Sequence, residues 1–228
     1  MKFSRLFLNR LHNLPAVHDT VVVIDTLRSF TTAAVALDRG AAAIYPVEGI
    51  SAAQALAQGL ARSLTAGAIA GGDPVEGFDF GNSPSQLLMA QLAGERLVLS
   101  TAAGVRGLQR FRDARHLFAA SLVCARATAN AIRTAKAAEV CFVITGEWVD
   151  RDGDEDVACA DYIEALLRGE HPDAGLYARR VRDSDFGRRF TAGTYPNLPL
   201  ADLDIAADVD RFAFAMPVRR ERGQLVIR

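Results

Sequence analysis

The sequence has few cysteines, no long apolar run and no signal-peptide pattern at its start. Its three cysteines, Cys124, Cys141 and Cys159, are far apart, so neither zinc-ligand spacing nor a disulfide framework is present. No stretch is apolar enough over sufficient length to cross a bilayer. We therefore expect a cytoplasmic protein with no membrane partner, whose cysteines act as small buried apolar groups.

A strong excess of charge of either sign is also missing. The formal net charge is −1, and half of the 228 residues are hydrophobic. The densest basic segment, residues 179–182 followed by Arg188 and Arg189, is interrupted by Asp183 and Asp185. Such mixed charge is typical of a solvated helix face and not of a nucleic-acid surface. We expect no nucleic-acid partner, and the composition leaves a homo-oligomer open.

Several common catalytic motifs are absent as well. None of the four histidines falls in a loop that follows a predicted strand, which argues against a Ser-His-Asp triad or a histidine phosphatase. The glycines Gly71 and Gly72 are not followed by the Gly-Lys-Ser/Thr of a Walker A loop. A haloacid dehalogenase type phosphatase needs a second aspartate two residues after the first, but Leu27 stands two residues after Asp25.

What the sequence does contain is an alternation of short apolar runs with alanine-rich helical stretches, which indicates an α/β fold. The pattern predicts strands at 21–25, 42–47, 96–100, 117–120 and 140–145. It predicts helices at 29–39, 51–63 with Ser51 as N-cap, 84–92 with Ser83 as N-cap, 103–110, 123–137, and from the acidic loop 150–156 to about 168.

The simplest domain organisation is one α/β domain over residues 1–228. Its core would span about 20–168, and about 170–228 would be a C-terminal elaboration. That elaboration is predicted to contain short helices to residue 210 and one or two strands around the turn 221–223.

The first strand of the core ends at the strongest candidate for a functional residue. Ligands of open α/β sheets bind at the carboxyl ends of the strands. Asp25 directly follows the apolar run 21–24, Arg28 comes three residues later, and Thr31 and Thr32 lie in the first turns of the next helix. A carboxylate here could hold magnesium or attack phosphorus, while Arg28 holds phosphate oxygens. Simple capping of the helix by Asp25 is the alternative reading.

A glycine-rich polar loop is the second candidate. Gly77 and Gly81 bracket Asp79 and lead into Asn82 and Ser83. Glycines let backbone amides approach an anion closely, and the asparagine and serine add side-chain donors. A purely structural turn is the alternative.

Two further strand ends supply polar groups. Thr101 to Gly104 follow the strand at 96–100 and offer a hydroxyl group. Glu155 begins the helix after the acidic loop, where acidic residues usually serve the helix dipole.

Together these segments resemble the 2-phosphosulfolactate phosphatase family. The matching stretches are 23–28 with Thr31-Thr32, 45–48, 76–84, and Glu155-Asp156 with Cys159-Ala160. The resemblance covers about residues 20–168, and more weakly the strands after 216–218. It implies a layered α/β/α domain with a mixed, largely parallel sheet. It also implies a magnesium-dependent phosphatase that acts on phosphosulfolactate, a step of coenzyme M biosynthesis.

The resemblance and the residue chemistry together suggest roles for individual positions. The expected catalytic residues are Asp25, Arg28, Asp79 and Glu155. The expected magnesium ligands are Asp25, Glu48 and Asp79. The expected substrate-binding residues are Thr31, Thr32, Gly77, Gly81, Asn82, Ser83, Thr101 and Gly104. The expected partner is a small phosphorylated acid.

The sequence departs from the family pattern in three of these loops. The family usually has Glu-Arg before the glycines, whereas this chain has Ile69-Ala70. A Thr-Thr-Asn-Gly-Thr run is replaced at 101–105, and Gly153 replaces a serine. Losing an arginine that pairs with an anion costs several kcal/mol in binding. We therefore expect changed specificity, and the alternative hypothesis is a catalytically weak relative that only binds a small anion.

Overall fold

The computed structural model describes residues 1–12, 19–69 and 71–228. The strands in these ranges are β1 (Lys2–Phe7), β2 (Thr20–Ile24), β3 (Ala43–Pro46), β4 (Ser63–Gly67), β5 (Phe80–Gly81), β6 (Arg96–Ser100), β7 (His116–Ala120), β8 (Glu139–Ile144), β9 (Met216–Glu221) and β10 (Gln224–Ile227). The α-helices are α1 (Ser29–Asp38), α2 (Ile50–Gly59), α3 (Pro84–Leu88), α4 (Gly104–Arg110), α5 (Ala125–Thr134), α6 (Asp154–Leu167), α7 (Ala174–Asp183), α8 (Gly187–Thr191) and α9 (Leu200–Ala206). Short 3-10 helices occupy Leu8–Arg10 and Leu122–Cys124. None of the helices in these ranges combines the length and apolarity that a membrane crossing requires.

All these strands form one mixed sheet in the order β1-β8-β2-β7-β9-β10-β3-β6-β4-β5. The first four are parallel neighbours, and so are the last four. Three antiparallel pairings, made by β9 and β10, separate the two groups. The two groups therefore run in opposite directions. The prediction of an α/β fold with a mixed, largely parallel sheet is confirmed.

Helices cover both faces of this sheet. Successive side chains of a strand point to opposite faces. In β2, Val21 and Val23 pack in a core with Phe30 of α1, whereas Val22 and Ile24 pack in a second core with α6. Burial on both sides explains why β2 reads as a continuous apolar run. The arrangement is the expected layered α/β/α domain.

The predicted second helix was wrong at both ends. It begins at Ile50, with Gly49 at the N-cap position at φ 92°, so Ser51 is not its cap. The helix ends at Gly59. Ser63, the last residue of the predicted helix, is the first residue of strand β4, which was not predicted. This strand lacks a distinctive apolar run because it holds serine, threonine and glycine, and its pairing with β6 fixes its place. The predicted Ser83 cap of α3 is confirmed.

The C-terminal segment completes the sheet. The predicted short helices are α7, α8 and α9, and the predicted terminal strands are β9 and β10. These strands lie between β7 and β3 and connect the two parallel groups. The segment therefore supplies central strands and is not only an addition outside the core.

The cysteines have the surroundings that the sequence suggested. Cys124, Cys141 and Cys159 are buried free thiols. Burial raises the pKa of Cys124 and of Cys141 to about 11. Thiols with a raised pKa hold little thiolate at neutral pH, so these side chains act as packing groups.

Gly67 at the end of β4 provides a test of the packing between β4 and β6. A Cβ atom on Gly67 would lie 2.2 Å from the Ser100 carbonyl oxygen, which is a backbone atom that cannot turn away. We expect Gly67→Ala to lower the free energy of unfolding by about 2 kcal/mol or more. Gly59→Ala is the control, since nothing lies within 4 Å of its added Cβ. Urea denaturation of both variants checks this, and equal stability would contradict the packing described.

Candidate active site

A cavity of about 350 Å³ opens at the ends of the strands. Five lining residues each directly follow a strand, namely Asp25 after β2, Ala68 after β4, Asn82 after β5, Thr101 after β6 and Thr145 after β8. Both parallel groups contribute, so the carboxyl ends of oppositely directed strands meet at one site. This is the kind of location where the sequence analysis expected a ligand.

Asp25 lies in this cavity as a nearly buried carboxylate. Its Oδ1 accepts a hydrogen bond from the Ser29 backbone N–H at 2.9 Å. Its Oδ2 accepts one from the Ser29 hydroxyl at 2.6 Å and one from the Gly104 N–H at 2.9 Å. Since a carboxylate offers about four lone-pair sites, one site on Oδ1 is left without a partner among the described residues. Asp25, which lines the cavity, therefore binds the first N–H group of α1 and keeps one acceptor site unused.

Gly104 is the position that lets this carboxylate approach a second loop. A Cβ atom there would lie 2.6 Å from Asp25 Oδ2 and 3.0 Å from the Phe30 ring. Only glycine leaves room for the hydrogen bond between its N–H group and Asp25. The Gly104 N–H group thus contacts Asp25, and Gly104 is not among the residues that line the cavity.

Ser29 links Asp25 to two predicted binding residues. The hydroxyl group of Ser29 is shared between Asp25 and the Thr101 oxygen, which accepts from it at 3.0 Å, and the Ser29 oxygen accepts from the Asn82 amide at 3.5 Å. Asn82 Oδ1 has no hydrogen-bond partner among the described residues. Asn82 and Thr101 thus place polar groups of the β5 and β6 ends beside Asp25.

Four arginines line the same cavity: Arg28, Arg106, Arg151 and Arg189. Arg28 was predicted from the sequence, and the other three were not. Arg106 belongs to α4 and donates to Asn9 Oδ1. Arg151 stacks over the Phe186 ring at 4.7 Å. The lining is therefore markedly basic, although the whole chain is nearly neutral.

Arg28 is held by hydrogen bonds to α9, to the segment before it and to the loop at Gly72. Its guanidinium donates to Asp202 Oδ2 at 2.9 Å and to the carbonyl oxygens of Asn197 and Gly72. Asp202 is fully buried in α9, and its Oδ1 accepts from Ser83 and from Ser85. One buried aspartate thus fixes both Arg28 and the start of α3. Asp202 was not among the residues predicted from the sequence.

Two adjacent carboxylates lie behind the cavity at the start of α6. Asp156 accepts hydrogen bonds from the backbone N–H groups of Thr26, Thr145 and Gly146, so it ties the ends of β2 and β8 together. Burial, with the charges of Glu155 and Asp25, raises its pKa, and the N–H donors of Thr26 and Thr145 oppose that rise. Asp156 is therefore a positioning residue.

Glu155 is fully buried, but its hydrogen bonding differs from that of Asp156. Neither of its carboxylate oxygens has a hydrogen-bond partner within the described ranges. A Cβ on Gly146 would lie 2.3 Å from Glu155 Oε1, so the carboxylate lies against the end of β8. Burial raises the pKa of Glu155 to about 7, and the nearby backbone N–H of Glu155, the Ser184 hydroxyl and the positive charge of Arg151 oppose this shift. The predicted catalytic residue is thus next to the cavity and does not line it.

The structure does not bring Asp79 and Glu48 into the cavity. Asp79 is exposed, and its carboxylate accepts from the N–H and hydroxyl groups of Thr65 at 2.7 and 2.8 Å. Glu48 is exposed after β3. These contacts make Asp79 a link between β4 and its loop, and they leave its predicted catalytic role without geometric support.

The remaining predicted substrate-binding residues also lie outside the main cavity. Thr31 and Thr32 are buried within α1, where the Thr31 hydroxyl donates to the Thr26 carbonyl at 2.7 Å. Gly77 is exposed in its loop at φ 79°. Gly81 and Ser83 line a smaller adjoining cavity of about 160 Å³, which shares Arg28 and Asn82 with the larger one.

The three predicted magnesium ligands, Asp25, Glu48 and Asp79, are not grouped together in the described residues. Within residues 1–12, 19–69 and 71–228, no three His, Cys, Asp or Glu side chains are grouped to hold a metal. A Mg²⁺ ion, however, is often held by one or two carboxylates together with water and phosphate oxygens. The open acceptor site of Asp25 fits that second mode, whereas Glu48 and Asp79 do not.

The cavity residues that were not predicted differ in whether the sequence contains a signal that could have identified them. Arg106 follows Gly104 by two positions, so the strand-end rule applied to the whole loop would have found it. Arg151 lies within the predicted acidic loop, after β8. Arg189 comes from α8 and reaches the cavity only through tertiary packing, and its segment had been interpreted as a solvated face. Of the replaced positions, Ile69 lines the cavity, and Ala70 is outside the described residues.

Comparison with known proteins gives matches to one family. Residues 7–211 match the family model described as 2-phosphosulpholactate phosphatase. A probable 2-phosphosulfolactate phosphatase of Carboxydothermus hydrogenoformans is 39% identical over 92% of this chain and 87% of its own length. One from Deinococcus radiodurans is 33% identical over 88% and 86% of the two chains. One from Gloeobacter violaceus is 36% identical over 73% and 70%.

The raised pKa of Glu155 predicts a specific pH dependence of stability. Below its unfolded pKa of about 4.5 the residue is protonated in both states, and the folded state loses stability as the pH rises through about 7. We expect Glu155→Gln to be more stable than the parent at pH 8, by about 3 kcal/mol, and equally stable at pH 4. Urea denaturation at both pH values measures this difference.

The exposed Glu48→Gln is the matched control and should change stability by less than about 0.5 kcal/mol at pH 8. A stability difference between Glu155→Gln and the parent that is the same at pH 4 and pH 8 would contradict the assigned pKa shift.

Proposed function

The chain belongs to the 2-phosphosulfolactate phosphatase family, and from this premise we propose that it is a magnesium-dependent phosphatase of small phosphorylated acids. In the reaction that the family name describes, water would cleave phosphosulfolactate to sulfolactate and phosphate. The observation that carries the proposal is the lining of the cavity, which contains a nearly buried carboxylate and four arginines. The proposal includes a cytoplasmic location.

The arginines suit the charge of the reacting phosphate. Phosphoryl transfer depends chiefly on positioning and on neutralising charge at the phosphate oxygens. Arg106 in α4 and Arg151 in the loop after β8 offer N–H donors, and the amide of Asn82 and the hydroxyl of Thr101 add neutral donors. Such preorganised donors stabilise charge without reorganising during the reaction. In this proposal the phosphate lies among these four side chains.

Asp25 is the residue proposed to act on the attacking water. Of the carboxylates that line the cavity within the described ranges, it is the buried one, whereas Asp150 is exposed and paired with Arg189. Its open Oδ1 site can accept a proton from water positioned beside the phosphate. The three hydrogen bonds from Ser29 and Gly104 hold the carboxylate in one orientation.

Magnesium is part of the proposal and would be held beside Asp25. When bound, the ion would add positive charge next to the phosphate oxygens. Because Asp25 has one open acceptor site, it would hold the ion through a water molecule, and the substrate and further water would supply the other oxygens.

Release of phosphate from phosphosulfolactate tests this function. With magnesium chloride we expect turnover by the parent chain, and chelation of the metal should abolish it. Asp25→Asn should lower kcat at least 100-fold, because the acceptor for the proton is lost. Asp79→Asn is the control and should keep kcat within about twofold, since Asp79 is exposed and outside the cavity lining.

Thermal unfolding of Asp25→Asn would show whether a loss of kcat comes from misfolding. Equal effects of the Asp25 and Asp79 substitutions would contradict the assignment of Asp25. If the parent binds phosphosulfolactate but releases no phosphate, the chain is the anion-binding relative of the alternative hypothesis.

A further inference from the structure

The cavity has an apolar wall in addition to its polar groups. Ile69 and Trp148 both line it, and they remain 46% and 51% exposed. The two come from different loops, one after β4 and one after β8. Large apolar side chains that stay exposed in a ligand cavity are the surface that an apolar part of a ligand can cover.

Two of the four cavity arginines already have carboxylate partners. Arg28 pairs with the buried Asp202 at 2.9 Å. Arg189 pairs with Asp150 at 2.6 Å. Each carboxylate offsets much of the charge that its arginine would otherwise offer to a ligand.

Arg106 and Arg151 are the two cavity arginines whose side chains hydrogen-bond to no carboxylate in the described part of the chain. The partner of Arg106 is the neutral amide oxygen of Asn9. Arg151 Nε lies 3.9 Å from Asp150, too far for a hydrogen bond, and it has no hydrogen-bond partner in the described part of the chain. A phosphate monoester carries about two negative charges at neutral pH. The carboxylate of the acid adds a third negative charge. These charges and that of Asp25 balance Arg106, Arg151 and the proposed magnesium ion, so no cation is left for another strongly acidic group.

From this combination we propose that the substrate is a phosphorylated acid with an apolar substituent, which packs against Ile69 and Trp148. This inference rests on the proposed phosphatase function and narrows its substrate class. A sulfonate at the same place would lose its water next to apolar surface without gaining a cation, which is unfavourable. An alkyl or aryl group there would instead bury apolar surface of the substituent and of the two side chains.

Trp148 provides a direct signal for binding. It is the one tryptophan of the 228 residues, so all tryptophan fluorescence comes from the cavity wall. Phosphonate analogues, in which a methylene group replaces the ester oxygen, cannot be hydrolysed at that bond. Titrating the chain with such analogues of 2-hydroxy acids measures affinity independently of turnover.

Two analogues that differ only in their substituent test the inference. We expect the isobutyl analogue to bind at least about tenfold more tightly than the sulfomethyl analogue, because a few methylene groups in an apolar pocket give discrimination of that size. Ile69→Arg should reverse this preference by adding a cation to the apolar wall. Ile50→Arg is the matched control, since Ile50 is 39% exposed on α2 and outside the cavity lining, and it should leave the preference unchanged.

Equal or tighter binding of the sulfomethyl analogue to the parent chain would overturn the inference, as would an unchanged preference in Ile69→Arg. Phosphate release from the corresponding phosphate esters separates this failure from that of the proposed function. Hydrolysis of both esters without the expected preference overturns the substrate class alone. Preferential binding of the isobutyl analogue without release of phosphate from any ester overturns the phosphatase function and retains the binding preference.

Discussion

The carboxylate of Asp25 connects loops from the two oppositely directed groups of strands. It follows β2 of one group, and its Oδ2 accepts from Gly104, which follows β6 of the other. A buried carboxylate needs hydrogen bonds to offset its loss of water, and here the N–H and hydroxyl groups of two loops supply them. The cavity depends on this contact, because it brings the ends of both groups together around one acceptor.

Two more buried aspartates also join separate segments of the chain through hydrogen bonds. Asp156 ties β2 to β8, and Asp202 ties Arg28 to the start of α3. Both side chains are almost completely inaccessible to solvent. Removing one partner of such a network leaves an unpaired buried charge, which costs several kcal/mol. The C-terminal helices therefore help to shape the cavity, although the residues that line it come mainly from strand ends.

The sequence allowed correct prediction of the features that have local signals. The apolar run before Asp25 predicted a buried strand, and Ser83-Pro84 predicted the start of α3. The strand-end rule also placed Asn82 and Thr101 at candidate positions. It did not separate Asp25 from Asp79, since both are acidic residues in polar loops, and only the contacts of Asp79 with Thr65 show the difference. Arg189 and Asp202 depend on packing between distant segments, for which a single sequence has no local signal.

The central claim is that phosphate binds in the cavity beside Asp25. A crystal structure of the chain soaked with magnesium chloride and sodium phosphate tests it most directly. We expect the phosphate within hydrogen-bond distance of Arg106 or Arg151 and of Asn82 or Thr101, with the metal beside Asp25. Phosphate and magnesium bound at the exposed Asp79 or Glu48, with the cavity holding only water, would contradict the account.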